Sequence, residues 1–284
     1  NRWGLKGSED LGNGLRAVFV LESGFDLGNG MSGQSYKDDE GKSTRLFGRQ
    51  ATLGLAGDSW GQLDLGRQTN IASKYVGSID PFSTGFGQAG MGSTFASADT
   101  LRYDNMVMYQ TPNFSGFQFG VGYSFQSDGP QAAKVKGQKD TNTNAITTGL
   151  RYANGPVALA LSYDQQRAYD AFANKKHTQK NWNVAGAYDF EVVKLHAAFG
   201  QDYDGKFGDG YNKKHNYNNY MVGLSAPVGA GNVLASWQMD QPRKEAKKQG
   251  DVGGKKQHVY SLGYTHPLSK RTNVYASGSY AKNR

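Results

Sequence analysis

The chain has 284 residues, no cysteine, 39 glycines against 7 prolines, 17 tyrosines and 14 phenylalanines, and a formal net charge of +8. Lack of cysteine excludes a disulfide scaffold and thiolate metal sites, and fits an oxidising compartment. A mean hydropathy of −0.67 is too polar for a large dry interior. The longest apolar runs, Ala17–Leu21 and Val157–Leu161, fall far short of the roughly 20 residues of a membrane-crossing helix.

Apolar residues nonetheless recur with a period of two, the signature of strands rather than of disorder. Trp3 and Leu5 share a face opposite Arg2 and Lys6. Leu15, Ala17, Phe19 and Leu21 oppose Arg16, Val18, Val20 and Glu22, and Leu63 and Leu65 oppose Gln62 and Asp64. The alternation is cleanest where Phe117, Phe119, Val121, Tyr123 and Phe125 oppose Gln118, Gly120, Gly122, Ser124 and Gln126. It continues over 157–164, 182–189, 193–200 and 260–265. The second face is small or polar almost everywhere, which a soluble sandwich core would not tolerate. One face in lipid and the other in water satisfies this pattern.

Turn chemistry punctuates the strands at 11–14, 57–61, 112–116, 153–156, 190–192, 227–232 and 267–271, where Gly, Pro, Asn and Ser supply the dihedrals. Long polar stretches fall between these turns, at 26–43, 71–100, 127–143, 168–180, 204–218 and 241–256. Strand, short turn, strand, long loop describes an up-and-down meander with every long loop on one rim, the asymmetry of outer-membrane barrels. The expected fold is one all-β transmembrane antiparallel barrel over residues 1–284, with about fourteen strands visible. No signal peptide is recognisable. Asn1 already stands in a strand-like run, so the chain is expected to lack the start of the mature protein.

The segment 71–100 breaks this rhythm. It is rich in Gly and Ser, has no helical period and carries only brief apolar runs. Its aromatics Tyr75, Phe82, Phe86 and Phe95, with Tyr103 just beyond, predict packing against something. Long loops without secondary structure are usually functional or disordered, and this one is expected to fold into the barrel and narrow a pore. Tyr109, Tyr123, Tyr152, Tyr163, Tyr188, Phe190 and Tyr264 fall near strand ends, as interfacial rings do.

The basic balance admits nucleic acid, anionic lipid or an anionic solute, but no nucleic-acid motif or compact basic face is present. Much of the charge is in loops: Lys134, Lys136 and Lys139; Lys175 and Lys176; Lys213 and Lys214; Arg243, Lys244, Lys247 and Lys248; Lys255 and Lys256. Gly85–Gly90 spells a dinucleotide fingerprint without the strand and helix that would make one. The histidines His177, His196, His215, His258 and His266 have no metal spacing, so no metal or cofactor is expected. Asn113-Phe-Ser115 is a glycosylation sequon by spelling only. An outer-membrane lipase or protease would need a Ser/His or Asp/His set on the lipid side or at the rim. A soluble carbohydrate-binding sandwich would need a dry face on each sheet. Neither pattern emerges.

Several stretches resemble the general porins of Gram-negative bacteria, of the β-proteobacterial type. They are 1–15 with 19–25, Phe47-Gly-Arg-Gln-Ala-Thr-Leu-Gly-Leu55, Leu65-Gly-Arg-Gln68, Tyr109–Phe117 and Gly263–Thr272. The resemblance runs through the whole chain in order. It implies a 16-stranded homotrimeric outer-membrane barrel whose third loop folds inward, in contact with lipid and lipopolysaccharide and passing small anionic or polar solutes. Against that pattern the chain is expected to lack the first and the closing strand. The resemblance further implies an arginine cluster facing acidic residues of the inward loop. By phase Arg2 and Arg102 point inward; Arg49 carries the family motif although its phase with Leu53 and Leu55 is outward. Asp80 is the expected acidic partner, with Lys6, Arg16, Asp99 and Asp104 as secondary candidates. No catalytic residue is expected.

Overall fold

In the computed structural model, residues 1–34, 45–133, 136–137, 139–170, 175–205, 216–243 and 255–283 are described. Strands β1 (Arg2–Gly12), β2 (Leu15–Phe25), β3 (Ser32–Gly33), β4 (Gln50–Gly57), β5 (Gly61–Thr69), β6 (Arg102–Gln110), β7 (Phe117–Ser124) and β8 (Asn144–Asn154) make up the first half. The second half holds β9 (Val157–Asp170), β10 (Lys175–Asp189), β11 (Lys194–Tyr203), β12 (Tyr217–Val228), β13 (Gly231–Pro242), β14 (Gln257–Ser269) and β15 (Thr272–Asn283). Apart from β3, a two-residue appendage on β2, each strand pairs antiparallel with its neighbours in chain order. All seven short turns of the sequence reading lie at one end of this sheet. The stretch 168–180 is a correction: β9 and β10 run paired as far as Asp170 and Lys175, so this hairpin projects further than its polar composition suggests.

The burial pattern is that of a soluble protein turned inside out. In β7, Phe117, Phe119, Val121 and Tyr123 are exposed while Gly120, Gly122 and Ser124 are buried. Leu53, Leu65, Leu159, Leu161, Val222 and Leu262 are likewise exposed on the outer face, whereas Asn181, Asn183, Asp164, Asp202, Asn219 and Gln238 are buried on the inner one. Large apolar side chains left outward on most strands demand an apolar solvent, and strands can face one because the ladder satisfies their backbone groups.

The buried core sits on the inner face and is built from the segment between β5 and β6. Where the sequence shows no helical period, Ile71–Tyr75 forms a short helix, α1, started by Asn70, whose Oδ1 accepts from the Ser73 N–H at 3.1 Å. Single helical turns follow at Gly77–Ile79, Gly87–Ala89, Met91–Ser93 and Ala96–Ala98. Tyr75, Phe82, Phe95 and Tyr103 are almost fully buried.

This one segment touches consecutive strands from β7 to β15. Ile71 abuts Gly120 of β7 and its N–H donates to Thr147 Oγ1 of β8. Asn70 reaches Asp164 of β9, Ser97 reaches Asn181 of β10, and the Ile79 carbonyl meets His196 of β11. Pro81 lies against Gly223 of β12, Thr94 bonds Gln238 of β13, Phe82 lies against Gly263 of β14, and Phe86 stacks edge-on with Tyr275 of β15. In a flat sheet these strands would span about 40 Å, at roughly 4.8 Å per strand. A compact segment of thirty residues reaches them all because the sheet curls around it.

Candidate functional site: an arginine-bearing wall opposite the buried segment

The segment 71–100 is held from within by Asp80. Its carboxylate accepts from the N–H groups of Phe82 (3.0 Å), Thr84 (2.8 Å) and Met91 (2.8 Å). Burial pushes this carboxyl up from its ordinary range, against the pull of those three donors. The clamp stabilises an unfavourable backbone, since Ser83, Thr84 and Phe86 have φ of 51°, 54° and 62°, a conformation that costs non-glycine residues energy. Asp80 is therefore not the acid facing the arginines. A buried carboxylate engaged by three donors of its own loop is turned away from the passage.

The cations gather on the other side, at the long-connection end of β2, β4, β5 and β6. Arg49 lies in irregular backbone just ahead of β4, so strand phase does not govern it. Its Nε donates to Glu22 Oε1 at 2.6 Å on the inner face. Arg2 approaches the same oxygen at 3.8 Å and remains largely exposed. Arg102, the first residue of β6, donates from Nε to the Arg49 carbonyl (3.0 Å) and from Nη1 to the Thr100 carbonyl (2.9 Å).

Two more arginines, not among the expected site residues although Arg67 stands in the Leu65-Gly-Arg-Gln68 stretch, complete the group. Arg67 shares the outward phase of Leu63 and Leu65, but the β5–β6 register slips beside it: Gly66 pairs with Met106 and Gln68 with Tyr103. Gly66 takes φ of 115°, conformational freedom that redirects the strand. Arg67 thus turns inward, donating to Asp104 Oδ1 (2.8 Å) and the Gly48 carbonyl (2.7 Å). Arg45 donates to Asp104 Oδ2 (2.5 Å) and Asp128 Oδ1 (2.9 Å). Glycine before an arginine in an apolar strand was the available signal for Arg67. Arg45, beyond any strand, had none.

Arg45, Arg67, Arg102, Asp99 and Asp128 line one cavity of about 610 Å³. Asp104 ties two arginines together, and Asp99 lies exposed beside Arg102. Lys6 sits on β1 opposite Val20, and Arg16 bonds Asp58 at 2.8 Å near the short-turn end, both away from this cluster. The guanidiniums stay charged at any relevant pH and bind carboxylate and phosphate in a planar fork. Such an array attracts anions and offers no acid–base chemistry near neutrality.

The whole chain, residues 1–284, matches the profile of the Gram-negative porins. It belongs to that family. An outer membrane porin protein of Bordetella pertussis is 52% identical over 314 residues, covering 100% of this chain and 77% of the relative. Outer membrane porin protein 32 of Delftia acidovorans is 33% identical over 295 residues, covering 100% of the chain and 75% of the relative. Among solved structures, an anion-selective porin from Comamonas acidovorans aligns with a TM-score of 0.76 and 30% identity, over 100% of this chain and 79% of that one.

This porin is an outer-membrane channel for passive diffusion, its short turns at the periplasmic end and its long connections at the extracellular one. The competing motifs have structural roles. Gly87–Ala89 is a single helical turn and opens no dinucleotide helix. Asn113 Oδ1 accepts from the Gly116 N–H at 2.7 Å and closes a turn. His196 joins the Ile79 carbonyl to Ser225, and His258 and His266 stack on Tyr260 and Tyr264. Lys134, Lys213, Lys214, Lys244, Lys247, Lys248 and His215 lie outside the described residues.

Proposed function

We propose that the channel prefers anions, with Arg2, Arg49 and Arg102 as its charged wall, Arg67 and Arg45 beside them, and residues 71–100 as the constriction. Lys6 and Arg16 continue the positive wall toward the periplasm, and Asp99 and Asp104 are its secondary acidic members. The observation that carries the reading is an imbalance across the passage. The wall presents five arginines, whereas the segment 71–100 keeps Asp80 inside and exposes one carboxylate, Asp99 beside Arg102, with Ser78, Ser83 and Thr84 at least partly exposed. Low-dielectric walls strengthen that field. The solved relative described as anion-selective supports the same direction. In a KCl gradient across a planar bilayer, the reversal potential is expected to have the sign of chloride preference; a potassium-selective sign rejects the proposal.

Homotrimerisation belongs to the same proposal. Outward tyrosines and tryptophans ring β7–β14 at both ends: Tyr123, Tyr163, Trp182 and Tyr260 at one, Tyr152, Tyr188 and Tyr264 at the other. The outer face of β1–β5 carries mainly Leu5, Phe19, Leu53, Leu55 and Leu65, with Trp3 and Trp60 at its margins. A surface without interfacial girdles suits a neighbouring copy better than lipid. Since the chain has no cysteine, Leu53→Cys introduces a lone thiol. Oxidative or bifunctional crosslinking through it is expected to join subunits, and failure where Leu159→Cys crosslinks equally well counts against this interface.

A further inference from the structure

Polar atoms without a hydrogen-bonding partner gather at the root of the buried segment: Gln68 Oε1 and Nε2, the Tyr103 hydroxyl and Asp164 Oδ2. The side chains are shut off from solvent, Gln68 and Asp164 at 0% exposure and Tyr103 at 1%.

They meet where the segment leaves β5 and returns to β6. Gln68 and Tyr103 are register partners across these two strands. Two residues beyond Gln68, the Asn70 N–H donates to the Leu101 carbonyl at 2.9 Å, and Asn70 Nδ2 donates to Asp164 Oδ1 of β9 at 2.9 Å. The Tyr103 hydroxyl lies within electrostatic reach of the same carboxylate. Departing strand, returning strand and β9 thus come together around Asp164. A buried polar group left unpaired costs free energy, and several in one place call for a common ligand.

Charge decides its nature. The donor to Asp164 is the neutral amide of Asn70, and among the described residues no cationic side chain pairs with this carboxylate. Along the same buried row Asp164 stands opposite Asn181, and Asn181 opposite Asp202. Asn181 and Asn219 donate to the two oxygens of Asp202 at 2.8 and 2.6 Å. The row therefore carries two acids interleaved with amides. A carboxylate taken out of water is tolerated when a positive charge stands beside it. The nearby arginines are engaged elsewhere, Arg45 and Arg67 with Asp104 and Arg102 with backbone carbonyls.

We propose that a monovalent cation, sodium or potassium, binds between Asp164 Oδ2, the Tyr103 hydroxyl oxygen and Gln68 Oε1, and pins both ends of the segment to β9. The donors are hard oxygens, and only one of them is charged, so a single positive charge balances the set. Calcium draws on several carboxylates, and no group of three or more acidic, histidine or cysteine side chains comes together among the described residues. The site lies behind the segment and is independent of the ion preference of the passage.

The test uses the full-length porin in detergent, with thermal unfolding followed by circular dichroism in sodium, potassium or N-methyl-D-glucamine chloride at one ionic strength. At least one alkali cation is expected to raise the midpoint by about 2–4 °C over the bulky organic cation, saturating with concentration. Asp164→Asn, of nearly the same shape, is expected to abolish the difference. Tyr103→Phe is expected to weaken it, and serves should the asparagine variant fail to fold. Crystals grown in rubidium chloride are expected to show an anomalous peak beside Asp164 Oδ2. Equal midpoints in all three salts overturn the site, as does a cation effect that persists undiminished in Asp164→Asn. Water alone at the position overturns it too. So does a protonated-carboxyl infrared band that disappears in Asp164→Asn, because a proton then stands in place of the ion.

Discussion

The two sectors of the inner face are built to opposite rules. Under the buried segment, from β7 to β14, the wall is small: a side chain at Gly120 would meet Ile71 at 2.5 Å, one at Gly149 would meet Ile71 at 2.9 Å, and one at Gly223 would meet Pro81 at 2.7 Å. Ala145, Ala160, Ala185, Ala187 and Ala198 continue that surface. From β1 to β6 the wall instead carries Arg2, Lys6, Arg16, Arg67 and Arg102, with Arg49 at its edge. Small residues make a floor on which a segment can land, and long cations keep their sector open to water. The inner face is therefore divided by side-chain volume first and by charge second.

The largest effect is expected from breaking the landing. Phe95 is fully buried against the wall, close to Gly200, and Phe95→Ala leaves a cavity that costs about 3–5 kcal/mol. The guanidinium unfolding midpoint should fall accordingly, and an unchanged midpoint would mean that the segment contributes little to stability. Next comes the charged sector. Arg102→Glu places a carboxylate beside Arg49 and removes two hydrogen bonds to backbone carbonyls. Reversal potential in a KCl gradient is expected to move toward cations while strand content by circular dichroism holds. Were it not to move, Arg102 would be removed from the selective wall.

How much of this could be read beforehand follows from the same division. Period-two alternation is a local property, so the meander, its short turns and the outward apolar face were all legible in runs such as Phe117–Gln126. The Gly and Ala positions facing inward on β7–β14 were visible as small residues, but not as a landing surface, because their partner lies dozens of residues away. Strand phase set Arg102 inward against Tyr103, whereas the structure buries Tyr103 in the core and holds Arg102 at the start of β6 on the Arg49 and Thr100 carbonyls. It failed for Arg67, where a register slip beside Gly66 turns the side chain over, and gave no purchase on Arg45. Asp80 misled because a carboxylate beside Pro81 looks the same in sequence whether it faces the passage or its own backbone; three N–H donors contributed by later turns decide between the two.

That distinction yields the smallest effect and the sharpest one. If Asp80 faced the arginines, neutralising it would strengthen anion preference. With its carboxylate turned into the segment, Asp80→Asn is expected to leave the reversal potential unchanged and to cost about 1–2 kcal/mol through poorer acceptance of the Phe82, Thr84 and Met91 donors. The pH dependence has a definite sign. Burial raises the Asp80 carboxyl above its unfolded value of 3.8, so over the range just above that value the folded chain binds more protons at this group than the unfolded one. Its contribution to stability then falls as pH rises through the window and recovers on acidification. The asparagine variant has no such group, so the stability gap between wild type and Asp80→Asn should shift in favour of wild type as pH is lowered toward 4. Denaturant midpoints of both proteins at pH 7 and pH 4 measure it, and a shift of opposite sign would show that the three backbone donors outweigh burial at this carboxylate.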